Sequence, residues 1–219
     1  MTRHHPNETT LAEFAAGTLD EGRSLVVATH LTMCPHCRGF VSALGEIGGQ
    51  MLDRVEPVAM SQGAASLALA RLAVDSPAGR DMPKAAEKSA PVQKVWTSQH
   101  EALLGYDIGP WRWISPGLHY RAVQVPCVND TRVFMLKAVP GLKIPSHSHT
   151  GSELTCVLTG AFIHEGGRYA AGDCDDAGED DGHSPVIDGG EECVCLVAMQ
   201  GHLKLSGLLG RIIQPFIRI

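Results

Sequence analysis

Two groups of metal-ligating side chains lie far apart in the sequence and differ in their chemistry. The first is His30-x-x-x-Cys34-x-x-Cys37, and the second is His147-x-His149-x-x-x-Glu153. Thiolates combined with imidazole are typical of a closed tetrahedral zinc site, whereas imidazoles combined with a carboxylate suit harder divalent metals. A stretch rich in Pro, Ala and Lys separates the two groups. The sequence therefore predicts two domains, each with its own metal site.

Composition narrows the class of protein. The formal net charge of −6 over 219 residues lacks the basic excess of a nucleic-acid binder, so we do not expect direct DNA binding. The chain has no apolar N-terminal segment and no run of about 18 apolar residues. It is therefore predicted to be cytoplasmic and without membrane contact. Seven cysteines, an odd number without an export signal, favour reduced thiols that are free to bind metal.

The N-terminal part, residues 1–78, is predicted to be a small helical domain. Asn7 is a suitable N-cap for a first helix, a second helix follows from about Asp20, and Pro35 suits the first turn of a third. The segment Ala64–Val74 is a short, strongly apolar helix. It carries more leucine than a small isolated helix needs for its own burial.

Residues 79–95 have the composition of a linker, which we expect to let the second domain sit apart from the helices. In residues 96–219 short apolar runs alternate with glycine and proline, as in an antiparallel β-barrel or jelly roll. The runs cover residues 120–125, 131–139, 153–162, 193–199 and 203–209. The acidic stretch at residues 173–181 is predicted to be a solvated loop, because its spacing misses the EF-hand pattern.

A Cys-x-x-Cys pair at a helix start brings both sulfur atoms to one side, and His30 faces the same point from four residues earlier. A closed zinc site needs a fourth ligand, for which His4 and His5 are the nearest candidates. The alternative is a thiol redox pair. Such a pair normally follows a strand, and here a helix is predicted to precede it, which favours zinc.

The second group fits the pattern Gly-x5-His-x-His-x3-Glu-x6-Gly at Gly141, His147, His149, Glu153 and Gly160. On a strand the two histidines share one face, and Glu153 returns to the same side after the turn at Gly151. Ligands of this kind hold zinc, manganese, iron or nickel, so they do not by themselves select a metal.

This pattern resembles the first cupin motif, and a zinc-binding helical domain followed by a cupin domain resembles the ChrR family of anti-sigma factors. The resemblance implies a two-domain fold, α followed by an all-β cupin jelly roll. It also implies a first metal site of His5, His30, Cys34 and Cys37 holding Zn²⁺. It implies His183 as the fourth ligand of the cupin site, although the residues around His183 lack the Pro and Asn of the second cupin motif. The divalent metal expected there is Zn²⁺, with manganese, iron or nickel as alternatives.

The resemblance further implies the function. Members bind a group IV extracytoplasmic-function (ECF) sigma factor, here expected to be 1:1, and block its access to RNA polymerase. They release it in response to singlet oxygen or related oxidative stress through the cupin domain. Candidate contacts to sigma are Leu67, Leu69 and Leu72. The alternative is a cupin metalloenzyme such as a dioxygenase, but an enzyme has no evident use for the helical zinc domain, so no catalytic residue is predicted.

Overall fold

The computed structural model describes residues 2–74, 102–126, 130–179 and 182–205. The predicted linker, residues 79–95, lies outside these ranges. The end of the chain from residue 206, with part of the predicted strand at 203–209, lies outside them as well.

The described N-terminal part is helical, as predicted. Its helices are α1 (Glu8–Ala15), α2 (Glu21–Met33), α3 (Pro35–Leu52) and α4 (Ala64–Val74). Asn7 caps α1 by accepting a bond from the Thr10 amide at 2.8 Å, and Asp20 caps α2 in the same way. Pro35 occupies the first turn of α3, where no intrahelical N–H bond is lost. The predicted helix starts are confirmed.

The second part of the described chain is built from antiparallel strands, which confirms the all-β prediction. They are β1 (Asp107–Ile108), β2 (Arg112–Ser115), β3 (Leu118–Gln124), β4 (Arg132–Ala138), β5 (His147–His149), β6 (Glu153–Thr159), β7 (Ala161–His164), β8 (Gly167–Ala170), β9 (Cys174–Ala177), β10 (Val186–Ile187), β11 (Cys193–Met199) and β12 (Leu203–Leu205). The large sheet has the order β1-β3-β4-β11-β6-β9, with β2 beside β3. Two smaller sheets have the orders β10-β7-β8 and β12-β5.

One predicted strand, residues 153–162, is two strands in the structure. The chain turns at Gly160, which has φ +68°, and a Cβ there would lie 2.5 Å from the Glu192 carbonyl oxygen. Only glycine fits this close approach, so β6 ends and β7 begins around it.

The large sheet is covered on both faces, and β11 shows this most clearly. Its residues are all buried, and they alternate between two apolar clusters. Leu196 and Ala198 belong to a cluster shared with the helices, whereas Val197 and Met199 belong to the interior of the β-domain. A strand buried on both faces needs a continuous apolar run, as at Cys193–Met199.

Helix α2 provides the cover on the outer face, so the expectation that the β-domain sits apart is wrong. Val26 and Val27 are fully buried in the shared cluster, and α2 contacts both β6 and β11. At Gly22 an added Cβ would come within 2.7 Å of the Thr131 side chain on the way into β4. Where the described chain resumes, Tyr106 donates a hydrogen bond to the carboxylate of Glu21. The helices are docked on the sheet.

For residues 173–177, the prediction that the acidic stretch at 173–181 is a solvated loop is wrong. Residues 174–177 form β9, an edge strand paired with β6. Asp173 is only 3% exposed, and it accepts backbone hydrogen bonds from the N-terminal segment. Asp173 therefore lies inside the structure, whereas Glu179 is exposed, and residues 180 and 181 lie outside the described ranges.

Candidate metal centres

The first metal-ligating group comes together where α2, α3 and the N-terminal segment meet. The structure brings together His5, His30, Cys34 and Cys37, whose ligand atoms all lie within 4.8 Å of one another. His5 Nδ1 lies 3.4 Å from Cys34 Sγ and 3.3 Å from Cys37 Sγ. The other candidate, His4, stacks on Tyr169 with a ring-centroid distance of 4.0 Å. The fourth member of the group is thus His5.

Local structure explains why the two cysteines converge. Cys34 is the N-cap of α3, and its sulfur accepts a hydrogen bond from the Cys37 amide at 3.5 Å. Although burial pushes the other way, hydrogen bonds from Thr2 and Cys37 lower the pKa of the Cys34 thiol. Burial, with Cys34 alongside, raises the pKa of Cys37 to about 12. A metal ion bound by these sulfur atoms would lower the thiol pKa values instead, because a coordinating thiol loses its proton.

His30 is oriented by a carbonyl group of the β-domain. Its Nδ1 donates to the Gly172 oxygen at 2.7 Å, which leaves Nε2 without a proton. Nε2 is buried and has no hydrogen-bond partner within the described residues. An orphaned imidazole nitrogen beside two thiols fits a metal ion, so this group can hold one.

The second group lies within the β-domain. His147 and His149 share one face of β5, and His183 forms an isolated bridge opposite His147. Their ligand atoms lie within 4.8 Å of one another. His147 Nε2 is 2.8 Å from His183 Nε2, and His149 Nε2 is 3.0 Å from Glu153 Oε2. All four predicted residues therefore lie together.

The protonation of this group favours a cation. His147 Nδ1 donates to the Pro145 carbonyl at 2.8 Å, so its Nε2 is a bare acceptor. Burial, together with His147, lowers the pKa of His183 to about 4. Although burial opposes it, the bond and charge of His149 lower the pKa of Glu153. Imidazoles beside a carboxylate can hold a divalent metal.

Sequence reasoning missed three residues beside this group. His164 Nε2 lies 3.0 Å from Asp175 Oδ2, its ring is 5.7 Å from that of His183, and Tyr169 stacks on it at 4.7 Å. A solvent-open recess of about 300 Å³ adjoins them, lined by His164, Glu165, Gly166, Asp175, Asp176, Ala177, Gly182 and His183. No spacing in the sequence links these residues, because the turns between β7, β8 and β9 bring them together.

A third feature is a set of exposed apolar side chains in the helical part. The predicted contacts Leu67, Leu69 and Leu72 are 64%, 67% and 68% exposed. Exposed apolar side chains also occur at the end of α3 and in the segment after it, at Ile47, Met51, Leu52, Val55, Val58 and Met60. We call these nine residues the apolar surface. Among the described helices, none is long and apolar enough to cross a membrane.

Comparison with known proteins identifies the family of this chain. Residues 99–204 match the family described as the ChrR cupin-like domain. The chain is 36% identical over 218 residues to the anti-sigma-E factor ChrR of Cereibacter sphaeroides, which covers 99% of both proteins. It also superposes on ChrR in the crystal structure of Rhodobacter sphaeroides SigE in complex with that anti-sigma factor. That match has a TM-score of 0.71 and 35% identity, and covers 91% of this chain and 100% of the other. The chain therefore belongs to the ChrR family of anti-sigma factors.

Proposed function

We propose that this protein is an anti-sigma factor whose helical part binds an ECF sigma factor of group IV, 1:1, and keeps it from RNA polymerase. The observation that carries the proposal is the similarity to an anti-sigma factor along 99% of both chains. A match of this extent includes the helices as well as the β-domain. It favours a regulator over the alternative, a cupin metalloenzyme such as a dioxygenase.

The apolar surface supports a protein partner for the helices. The nine exposed apolar side chains lie within residues 47–72, and large apolar side chains exposed in such number mark an interaction site in many soluble proteins. Met51, Leu52 and Val58 are each at least two-thirds exposed, as are the leucines Leu69 and Leu72. We infer that sigma covers this surface.

The distribution of leucines on α4 indicates how it binds. At 100° per residue, Leu69 and Leu72 point roughly 200° and 140° around the helix from Leu67. All three are exposed, so α4 has apolar side chains on opposite sides. A helix that is apolar all round is normally buried all round. The partner is thus expected to enclose α4 from more than one side.

We further propose that His5, His30, Cys34 and Cys37 hold Zn²⁺. Two thiols and two imidazoles are the donor set of a closed structural site. Such an ion supplies a cross-link among three segments, because its ligands come from the N-terminal segment, the end of α2 and the start of α3. The division into a helical domain at 1–78, a linker at 79–95 and a cupin domain at 96–219 belongs to the same proposal.

For the cupin domain we propose that His147, His149, Glu153 and His183 hold a divalent metal, Zn²⁺ first, with manganese, iron or nickel as alternatives. The recess beside His183 gives small molecules a route to this site. We propose that the domain triggers release of sigma in response to singlet oxygen or related oxidative stress. Because sigma factors act on RNA polymerase, we also propose a cytoplasmic location.

The test is co-expression with the ECF sigma factor encoded beside this gene, followed by purification through a tag on sigma. We expect a 1:1 complex that contains zinc and is inactive in sigma-dependent transcription. A matched sample with an unrelated ECF sigma factor controls for nonspecific capture. Absence of a complex, or full transcription from one, would refute the proposal.

A further inference from the structure

The N-terminal segment before α1 lies against the edge of the large sheet. We call residues 2–7 the strap. The backbone N–H groups of Arg3 and His4 donate to Asp173 Oδ1, at 2.6 and 3.2 Å. The amide of Cys174, the first residue of β9, donates to the His4 carbonyl at 3.1 Å. The strap is therefore tied to β9 through its backbone, at the point where the metal-ligating His5 follows.

Asp173 joins the strap to the turn between β8 and β9. Its Oδ1 accepts the two bonds from the strap, and its Oδ2 accepts from the Ala170 amide at 2.9 Å. Carboxylate acceptors make stronger bonds to backbone N–H groups than neutral acceptors do. The carboxylate is also buried, so water does not replace bonds that are lost.

A second carboxylate secures the other end of the strap. Asp176 Oδ2 accepts from the Asn7 amide at 3.1 Å and from Thr10 Oγ1 at 3.0 Å. His5 therefore lies between two attachments to the same edge of the β-domain. Among the described residues, no backbone–backbone hydrogen bond joins residues 2–6 to the helices.

The same turn also supports His30. Gly172, the residue before Asp173, is the acceptor for His30 Nδ1. Gly172 has φ +94°, and a Cβ there would lie 2.8 Å from the Thr2 side chain. Glycine is required for both reasons. Two of the four predicted ligands of the first site thus depend on the turn at residues 172–173.

A column of stacked rings connects this region with the second site. His4 stacks on Tyr169, and Tyr169 stacks on His164, at 4.0 and 4.7 Å between centroids. The ring centroid of His164 lies 5.7 Å from that of His183. His4, which precedes His5 in the strap, thus contacts a series of rings that extends to the second metal-ligating group.

We propose that the β-domain is a structural part of the first metal site, with Asp173 as the positioning residue that holds His5 through the strap. Loosening the turn at residues 172–173 then weakens metal binding at Cys34 and Cys37, with no change to any ligand. This inference rests on the proposed zinc site and deepens the proposed function, since it provides a route by which the cupin domain alters the sigma-binding helices.

The experiment uses the full-length chain, loaded with Co²⁺ in place of zinc, with Asp173→Asn as the test. Thiolate-to-cobalt charge transfer reports the first site alone, because the second has no cysteine ligand. We expect cobalt affinity at that site to fall about 10- to 100-fold, the usual effect of removing a residue that supports metal ligands. Amide hydrogen exchange at Arg3 and His4 should accelerate together with it.

Asp188→Asn is the matched control. It makes the same chemical change and breaks an ion pair to Arg168 on β8, at 2.7 Å, but Asp188 has no described contact with the strap. Its charge-transfer titration should match the unmodified protein within about twofold. Equal cobalt affinity in Asp173→Asn and Asp188→Asn, with faster exchange in the strap of the former, would overturn the proposal.

If Asp173→Asn does not fold, Asp176→Ala tests the same idea without changing the turn. It should also weaken the charge-transfer titration relative to Asp188→Asn, and unchanged affinity in this variant would again overturn the proposal. None of these measurements needs sigma. A failure here therefore leaves the anti-sigma proposal standing, whereas normal cobalt binding without a sigma complex would count against the latter alone.

Discussion

Docking of α2 on the large sheet can be tested at Gly22, where Gly22→Ala should destabilise the protein. The added Cβ would lie 2.7 Å from Thr131 Cγ2 and 2.8 Å from Val133 Cγ2. Both side chains are β-branched, so neither can readily change its χ1 rotamer to make room for the Cβ. Overpacking of this kind costs about 1–3 kcal/mol, against a gain in helix propensity of up to about 1 kcal/mol. We expect a net loss of about 1 kcal/mol, and a melting temperature lower by about 2–4 °C.

Gly48→Ala is the matched control for this change. Gly48 lies inside α3, and no described atom comes within 4 Å of the position of its Cβ. The helix gains up to about 1 kcal/mol there without a clash, so its melting temperature should rise by a few degrees. The same substitution in two helices should therefore shift the thermal unfolding of the metal-loaded protein in opposite directions.

A double-mutant cycle identifies the cause of any loss at Gly22. Val133→Ala removes one of the two methyl groups that the new Cβ meets, so it should cost less in the Gly22→Ala background than alone. We expect a favourable coupling of roughly 0.5–1 kcal/mol, since the two residues are in contact. If Gly22→Ala is neutral or stabilising, and the cycle shows no coupling, then α2 does not rest on β4 and the reasoning is refuted.

Three further predictions concern the partner, the first metal site and two tyrosines. In a double variant, Leu69→Ala and Leu72→Ala should each weaken the binding free energy for sigma by about 1–2 kcal/mol, because both side chains are about two-thirds exposed before binding. The Kd should thus rise roughly 30- to 700-fold in a titration with labelled sigma, with unchanged melting temperature, and an unchanged Kd would contradict the docking surface. Cys37→Ser should abolish the sigma complex in co-purification and weaken the thiolate-to-cobalt band; full sigma binding by this variant would exclude a zinc scaffold. The hydrogen bond to Glu21 raises the pKa of Tyr106 to about 12, and burial raises the pKa of Tyr169 to about 12. The unfolded value is about 10, so their contribution to stability is intact below pH 10 and is lost as pH rises through 12; native tyrosinate absorbance with a midpoint near 10 would contradict this.

The parts of the fold that depend on local signals could be predicted from sequence. Asn7 and Pro35 mark helix starts because a cap or a fixed φ acts within one turn. The spacing of His147 and His149 places both on one strand face for the same reason. These signals involve residues that are neighbours along the chain.

The parts that depend on distant partners could not. An Asp residue has the same letter in the sequence whether it faces water or accepts hydrogen bonds from backbone N–H groups at the other end of the chain. This is why the sequence predicts a solvated Asp173. The apolar face of α2 likewise does not reveal which surface it covers. One signal was available, because the uninterrupted apolar run Cys193–Met199 implies a sheet covered on both faces.

The described contacts also indicate how a change in the β-domain would reach sigma. Helix α2 meets the sheet at Gly22, and His30 near its other end bonds to Gly172. From there the chain continues through Cys34 into α3, whose end belongs to the apolar surface. This route is made of direct contacts and does not require the predicted linker at 79–95.

Lengthening that linker should therefore have little effect. We predict that ten additional Gly and Ser residues inserted within 79–95 change the free energy of unfolding by less than about 1 kcal/mol, because each doubling of a loop costs only about 0.6 kcal/mol. Cobalt affinity at the cysteine site should be unchanged. The release of sigma from the purified complex on exposure to singlet oxygen should be unchanged as well. A signal transmitted along the linker predicts the opposite, since the added residues would absorb it. Loss of oxidant-dependent release in the lengthened protein, with Asp173→Asn still responsive, would show that the linker and not the docked surface carries the signal.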